Sequence, residues 1–301
     1  MNSRSCGWLI VSALVITASG AWAQQSAPPA SDQKPETFTT NQLIKTAGCS
    51  LPPGFDQKPP AFDQKSVAAF KQKASSGNAA AQCGLGLLYN NGWGVLQDHT
   101  QAAVWWRKAA EQGAVAAQYF LGLMYVSGRG VPQDYTEAAA WWRKAADQGY
   151  AIAQDDLGGL YRDGQGVPQD YAQAATWYRK AAEQGDAEAQ TTLGHMYVIG
   201  QGVPQDYAQA VAWWRKAAEQ GEAGAQWRLG YLYFNGWGVP QDFAEAYFWY
   251  DLAAADKLDA PFAKDVAAIR DAIASRLTPA DLSSEQERAR KWFEAHQAKP
   301  R

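Results

Sequence analysis

Apolar residues in this chain recur at three- and four-residue spacing in short runs, and the runs are of two alternating kinds. The first reads Ala-Gln-x-x-Leu-Gly-x-x-Tyr, as in Ala117, Gln118, Leu121, Gly122 and Tyr125. Its Ala, Leu and Tyr stand four apart and share one helix face. The second reads Ala-x-x-Trp-Trp-Arg-Lys-Ala-Ala, as in Ala138, Trp141, Trp142, Arg143, Lys144, Ala145 and Ala146, and predicts a second helix with its own apolar stripe. Between them stands the tetrad Gly-x-Gly-Val, at Gly92, Gly128, Gly164, Gly200 and Gly236, always 36 residues apart. A fixed period of this length marks an array of helix-turn-helix units, each of which buries its apolar face against its neighbours.

The polar residues at the ends of the runs support the same elements. A glycine suited to a left-handed C-cap ends the first helix. An Asp followed three residues later by Glu or Gln precedes the second: Asp98 with Gln101, Asp134 with Glu137, Asp170 with Gln173, Asp206 with Gln209 and Asp242 with Glu245. That spacing predicts a capping box, in which Asp accepts from a free N–H of the helix and the Glu or Gln reaches back to the N–H of the cap. The Arg-Lys pair near the end of the second helix suits the negative end of its macrodipole. Gly113, Gly149, Gly185 and Gly221 then stop it, and Lys257 takes that place in the fifth copy.

The flanks read as end caps. Residues 66–77 keep the pattern of a truncated second helix, with Phe70 and Ala74 in register and Gly77 closing it. Phe262 to Leu277 reads as one helix, and Thr278-Pro279 with Asp281 opens another that ends near Gln297, where Ala289, Trp292 and Phe293 can cover the last repeat.

These residues closely resemble the Sel-one-like repeat (SLR) family, a relative of the tetratricopeptide repeat, over about 78–257. The resemblance implies an all-α fold: a right-handed α/α superhelical solenoid of five 36-residue helix-turn-helix repeats (78–113, 114–149, 150–185, 186–221, 222–257) with helical end caps, the second of them 258–301. It also implies an adaptor for protein complexes with no catalytic residue.

Composition narrows the function classes. A net charge of -3 gives no general attraction to phosphate, so nucleic acid is not expected as a partner. Residues 1–23 carry Arg4, an apolar run from Trp8 to Ile16 and the close Ala21-Trp22-Ala23, which reads as a signal peptide and predicts an exported, periplasmic or secreted protein with no membrane span. Residues 24–65 hold seven of the 14 prolines and a duplicated Phe-Asp-Gln-Lys tetrad, and read as a flexible leader. After export two cysteines remain, Cys49 and Cys83, for which a disulfide and two free thiols both fit the sequence.

Most Trp residues sit in the second helices, where the period assigns one of each pair to the core and its neighbour to a half-exposed position. Function is therefore expected where copies of one position differ. By analogy with tetratricopeptide geometry, the first helix lines a concave groove, exposing the series Cys83, Tyr119, Asp155, Thr191, Trp227, then Leu87, Leu123, Gly159, His195, Tyr231, and one turn on Asn90, Val126, Arg162, Val198, Phe234. The candidate partner-binding residues are Tyr119, Asp155, Arg162, His195, Trp227 and Tyr231, a surface suited to an extended peptide or a partner helix. His195 with Asp155 could form a base and its orienting carboxylate, but no nucleophile motif accompanies them, and His99, His195 and His296 lack metal-ligand spacing. No enzyme activity, cofactor or metal is expected. Trp93 and Trp237, 144 residues apart, read as isolated surface aromatics. The expected function is a scaffold that binds another protein or peptide of the cell envelope; the alternative is a polysaccharide- or peptidoglycan-binding protein using exposed aromatics.

Overall fold

The computed structural model describes Cys49, residues 64–255 and residues 260–297. The signal peptide, most of the leader, and Lys257 lie outside the described residues. Thirteen helices are present among the described residues and no strand. They are α1 (Gln64–Ser75), α2 (Ala79–Asn91), α3 (His99–Glu111), α4 (Val115–Ser127), α5 (Tyr135–Asp147), α6 (Ala151–Asp163), α7 (Tyr171–Glu183), α8 (Ala187–Ile199), α9 (Tyr207–Glu219), α10 (Ala223–Asn235), α11 (Phe243–Ala255), α12 (Ala260–Ala274) and α13 (Pro279–Gln297). From α2 to α11 they form five helix-turn-helix pairs. The chain divides into two compact units, one ending at Trp177 and the other beginning at Tyr178.

The turn of each repeat depends on its two glycines. Gly128 ends α4 in the left-handed conformation (φ 67°) and its N–H reaches the Met124 carbonyl. Gly130 is also left-handed (φ 72°), and a Cβ there would lie 2.2 Å from the carbonyl oxygen of His99 at the start of α3. The second glycine therefore also lets the turn of one repeat lie against the backbone of the preceding repeat.

The expected capping box forms by half. Asp98 and Asp134 accept from the N–H of Gln101 and Glu137 at 2.9 and 3.1 Å, and Asp170, Asp206 and Asp242 do the same. The return bond is replaced. The cap's own N–H donates to the carbonyl of the motif tyrosine in the preceding helix, from Asp134 to Tyr125 at 3.0 Å and from Asp98 to Tyr89 at 2.9 Å. The backbone donor is satisfied by the other helix of the pair, which pins the turn more firmly than a local side chain would.

The second Trp of each pair lies in the core, and the first is buried in two pairs and half-buried, as expected, in the other. Trp106, Trp142 and Trp214 are 2, 3 and 0% exposed, and each indole N–H donates to a carbonyl of the partner helix, at Cys83, Tyr119 and Thr191. Trp141 and Trp213 are buried too, beneath the ammonium groups of Lys144 and Lys216 at 3.8 and 4.0 Å from their rings, while Trp105 is half-buried under Lys108. Each ammonium meets the negative face of its ring.

The remaining motif residues join helices. The buried Gln118 donates to the Ala110 carbonyl at 3.2 Å and accepts from Gln148 at 2.8 Å. Gln82 and Gln190 are held in the same way, between Ala74 and Gln112 and between Ala182 and Gln220. The Arg of Trp-Arg-Lys, read as a dipole partner, makes a more specific contact: Arg107, Arg143, Arg179 and Arg215 donate to the hydroxyls of Tyr125, Tyr161, Tyr197 and Tyr233 in the following repeat.

Both ends are covered by helices. α1 places Phe70 and Ala74 in a cluster with Ala81, Leu85 and Leu88. Cys49 and Cys83 form a disulfide, with Cα atoms 5.2 Å apart and both residues buried, which ties the leader to α2. At the other end the fifth repeat carries Asp251 in place of the motif Arg, and α12 answers with Arg270 at 3.2 Å. α12 starts at Ala260 and ends at Ala274, a shorter helix than Phe262–Leu277 at its C-terminus, because Arg276 and Leu277 turn back onto Ile273 and Ala274. In α13 Ala289 is buried against the last repeat, Arg288 pairs with Glu245 at 2.6 Å, and both ring nitrogens of His296 face backbone carbonyls, those of Trp292 and Glu219.

Candidate interaction surface

With the motif residues occupied by architecture, the positions at which copies differ are left to build a surface. In the unit ending at Trp177, Tyr119 and Tyr150 meet edge to face at 5.3 Å, and Tyr119 lies over Trp142 at 6.2 Å. Tyr119 was expected to be exposed, but it is only 8% exposed. Its hydroxyl bonds to the Asp156 carboxylate, and burial together with that neighbouring negative charge raises its pKa well above the usual phenol value. Burial, then Asp156, pushes Tyr150 up to about 12. Asp155 is half-buried beside Asp156 on α6. Arg162, at the end of α6, is held in a bidentate pair with its neighbour Asp163 at 2.7 and 2.9 Å.

In the unit beginning at Tyr178, His195 is half-buried on α8. Trp227, also expected to be exposed, is 8% exposed, with the Arg228 guanidinium 4.5 Å from its ring. Burial lowers the Arg228 pKa to about 10 against the opposing pull of Glu222. Tyr231 is half-buried and meets Trp237 edge to face at 5.5 Å, and Tyr207 meets the same indole at 5.3 Å. Trp237 is therefore not an isolated aromatic, and neither is Trp93, which packs against the α1–α2 cluster.

Of the wider expected groove series, Cys83, Leu87 and Val198 are also buried, at 0, 3 and 2% exposure. The helix face assigned to the groove by analogy is thus partly a packing face. Sequence reasoning missed Tyr150, Asp156, Arg228 and Tyr207. Three of these carried a signal, since Tyr150 stands where other copies have Asn78, Ala114, Asp186 and Glu222, and Asp156 and Arg228 stand where others have Gly84, Phe120 and Thr192. Among the described residues, no group of three or more His, Cys, Asp or Glu is placed to hold a metal ion, and no helix is long and apolar enough to cross a membrane.

The Sel1 repeat pattern matches residues 79–113, 115–150, 151–186, 187–222 and 223–257. The chain belongs to the Sel1 repeat family. A Sel1 repeat protein from Oxalobacter formigenes is similar at 34% identity and a TM-score of 0.67, over 77% of this chain and 95% of that one. A protective antigen present in uropathogenic Escherichia coli strains, which displays the SLR fold, is similar at 36% identity and a TM-score of 0.62 over 77% of this chain. The match spans 56% of the antigen's length. No curated protein matches the chain. Sel1 repeats are generally non-catalytic and typically serve as protein-interaction scaffolds, which agrees with a motif whose Gln, Arg and Trp side chains bond to neighbouring helices.

Proposed function

We propose that this Sel1 repeat protein is an exported, non-enzymatic scaffold that binds another protein or peptide of the cell envelope through the variable positions of its first-of-pair helices. The observation that carries this reading is the division of labour within the repeat. Gln, Trp, Arg, Tyr and Gly of the motif are committed to joining helices, while Asp155, Arg162, His195 and Tyr231 occupy positions where other copies carry different residues and keep part of their surface in water. Arg and Tyr are residues that dominate interface energetics. Tyr119 and Trp227, each 8% exposed, are not assigned to the binding surface. The Cys49–Cys83 disulfide supports an oxidising compartment, in line with the signal-peptide pattern.

The test is affinity capture from envelope extract with the wild-type chain and an Arg162→Ala/His195→Ala/Tyr231→Leu variant. Leu is the residue that the first two copies place at the Tyr231 position, as Leu87 and Leu123, so the variant is expected to fold. Loss of the captured proteins with an unchanged circular dichroism spectrum supports the scaffold. Retention of all of them refutes it. A hydrolase reading would require an activity that His195→Ala abolishes.

A further inference from the structure

The polysaccharide alternative acquires a specific location around Trp237. This indole is 38% exposed, one of four large hydrophobic side chains of the described residues left open to solvent. It stands between Gly236 and Gly238, both left-handed at φ 72°, with its backbone N–H on the Leu232 carbonyl at 3.0 Å. A Cβ on Gly238 would lie 2.4 Å from the backbone of Tyr207, so the turn is pressed onto α9. Tyr207 and Tyr231 hold the indole from two sides at 5.3 and 5.5 Å. Their phenols lie close enough to interact electrostatically, which with burial raises the pKa of Tyr231. Gln205 donates to the Tyr207 hydroxyl at 3.2 Å.

The repeat architecture does not require this group. At the Trp237 position the second, third and fourth copies have Arg129, Gln165 and Gln201, and at the Tyr231 position the other copies have Leu87, Leu123, Gly159 and His195. Trp237 and Tyr231 coincide in the fifth copy alone, where the indole packs on two tyrosines and still leaves 38% of its surface in water.

We propose that Tyr207, Tyr231 and Trp237 form a binding site for a neutral saccharide. The exposed part of the indole is complementary to the C–H face of a pyranose ring. The phenol hydroxyls beside it both donate and accept hydrogen bonds, as sugar hydroxyls require. The ring contacts that build the group are made by tyrosine and tryptophan side chains, whose apolar faces and hydroxyls suit a sugar. The group shares Tyr231 with the protein-binding reading, while Tyr207 and Trp237 belong to it alone, so Trp237→Gln, which leaves Arg162, His195 and Tyr231 in place, tests the saccharide site without touching the residues of that reading.

The experiment is isothermal titration of the full chain with four neutral tetrasaccharides: cellotetraose, laminaritetraose, maltotetraose and chitotetraose. The expected result is saturable binding of at least one, weakened about ten-fold or more by Trp237→Gln. Gln is the residue that the third and fourth copies carry there, so the variant should keep its thermal midpoint. Tyr231→Phe and Tyr207→Phe, which remove only a hydroxyl, should weaken binding several-fold, and Trp93→Gln in the first repeat should leave it unchanged. Absence of saturable binding to all four sugars overturns the proposal. So does binding that Trp237→Gln leaves intact, or a site that takes a proline-rich peptide and no sugar.

Discussion

Gly122→Ala is the most informative single substitution in the repeat, because helix propensity and tertiary packing predict opposite signs for it. In an isolated helix, Gly to Ala stabilises by about 1 kcal/mol. Here a Cβ on Gly122 would sit 2.3 Å from Nε1 and 2.4 Å from Cδ1 of Trp142, a ring only 3% exposed. The indole has to shift. Its shift strains a filled core, at about 1–3 kcal/mol, and breaks the 3.1 Å hydrogen bond to the Tyr119 carbonyl, at about 1–3 kcal/mol for the buried groups left unpaired. After the propensity gain, a net loss of about 3 kcal/mol is expected, read as the shift of a urea unfolding curve followed by circular dichroism. In a Trp142→Ala background the obstruction is gone, and Gly122→Ala should become stabilising by about 1 kcal/mol. Gly230→Ala should cost less, since its Cβ would meet Tyr250 at 2.8 Å and not an indole. If Gly122→Ala stabilises the wild-type chain, the glycine is not the seat of the tryptophan and the packing argument fails.

Three further outcomes follow from the structure. Reduction of Cys49–Cys83, or Cys49→Ser, should destabilise the N-terminal unit by about 4 kcal/mol, from the entropy regained by a loop with a sequence separation of 34, and intact mass with and without reductant checks the bridge itself. Tyr150 has a buried hydroxyl with no hydrogen-bond partner among the described residues and a folded pKa of about 12, so the unfolded chain deprotonates first and stability should fall as pH rises from about 10 to about 12, by about 2–3 kcal/mol. Tyr150→Phe should flatten that loss in alkaline denaturation curves and be neutral or slightly stabilising at pH 7. Asp251→Arg, which restores the motif residue in the fifth repeat, should set two cations against each other at Arg270 and lower the thermal midpoint, while Asp251→Arg/Arg270→Asp should recover most of it.

The fold was largely legible because it is repetitive. Apolar positions four apart, glycines at fixed register and an Asp before each second helix gave the helix pairs, and the observed helices lie where those signals place them. What could not be read was which partner each polar motif residue takes. Nothing in Trp-Arg-Lys says that the Arg reaches a tyrosine eighteen residues on, or in Asp-x-x-Glu that the cap's N–H is already taken by Tyr125. These contacts arise only when two helices are placed side by side. The variable positions were legible as positions but not as exposures. Tyr119 and Trp227 were expected on an open face, yet both are 8% exposed, Tyr119 packed against Trp142 and Tyr150 and Trp227 against Arg228. Trp237 was expected as an isolated surface aromatic and is on the surface but not isolated, since the two tyrosines that hold it lie 30 and 6 residues earlier in the chain.

The central claim is that the repeated residues build the molecule and the unrepeated ones carry its function. Affinity capture with the Arg162→Ala/His195→Ala/Tyr231→Leu variant, paired with its unfolding curve, tests this most directly. The account predicts unchanged stability and loss of the protein partners. Full capture by the folded variant would contradict it.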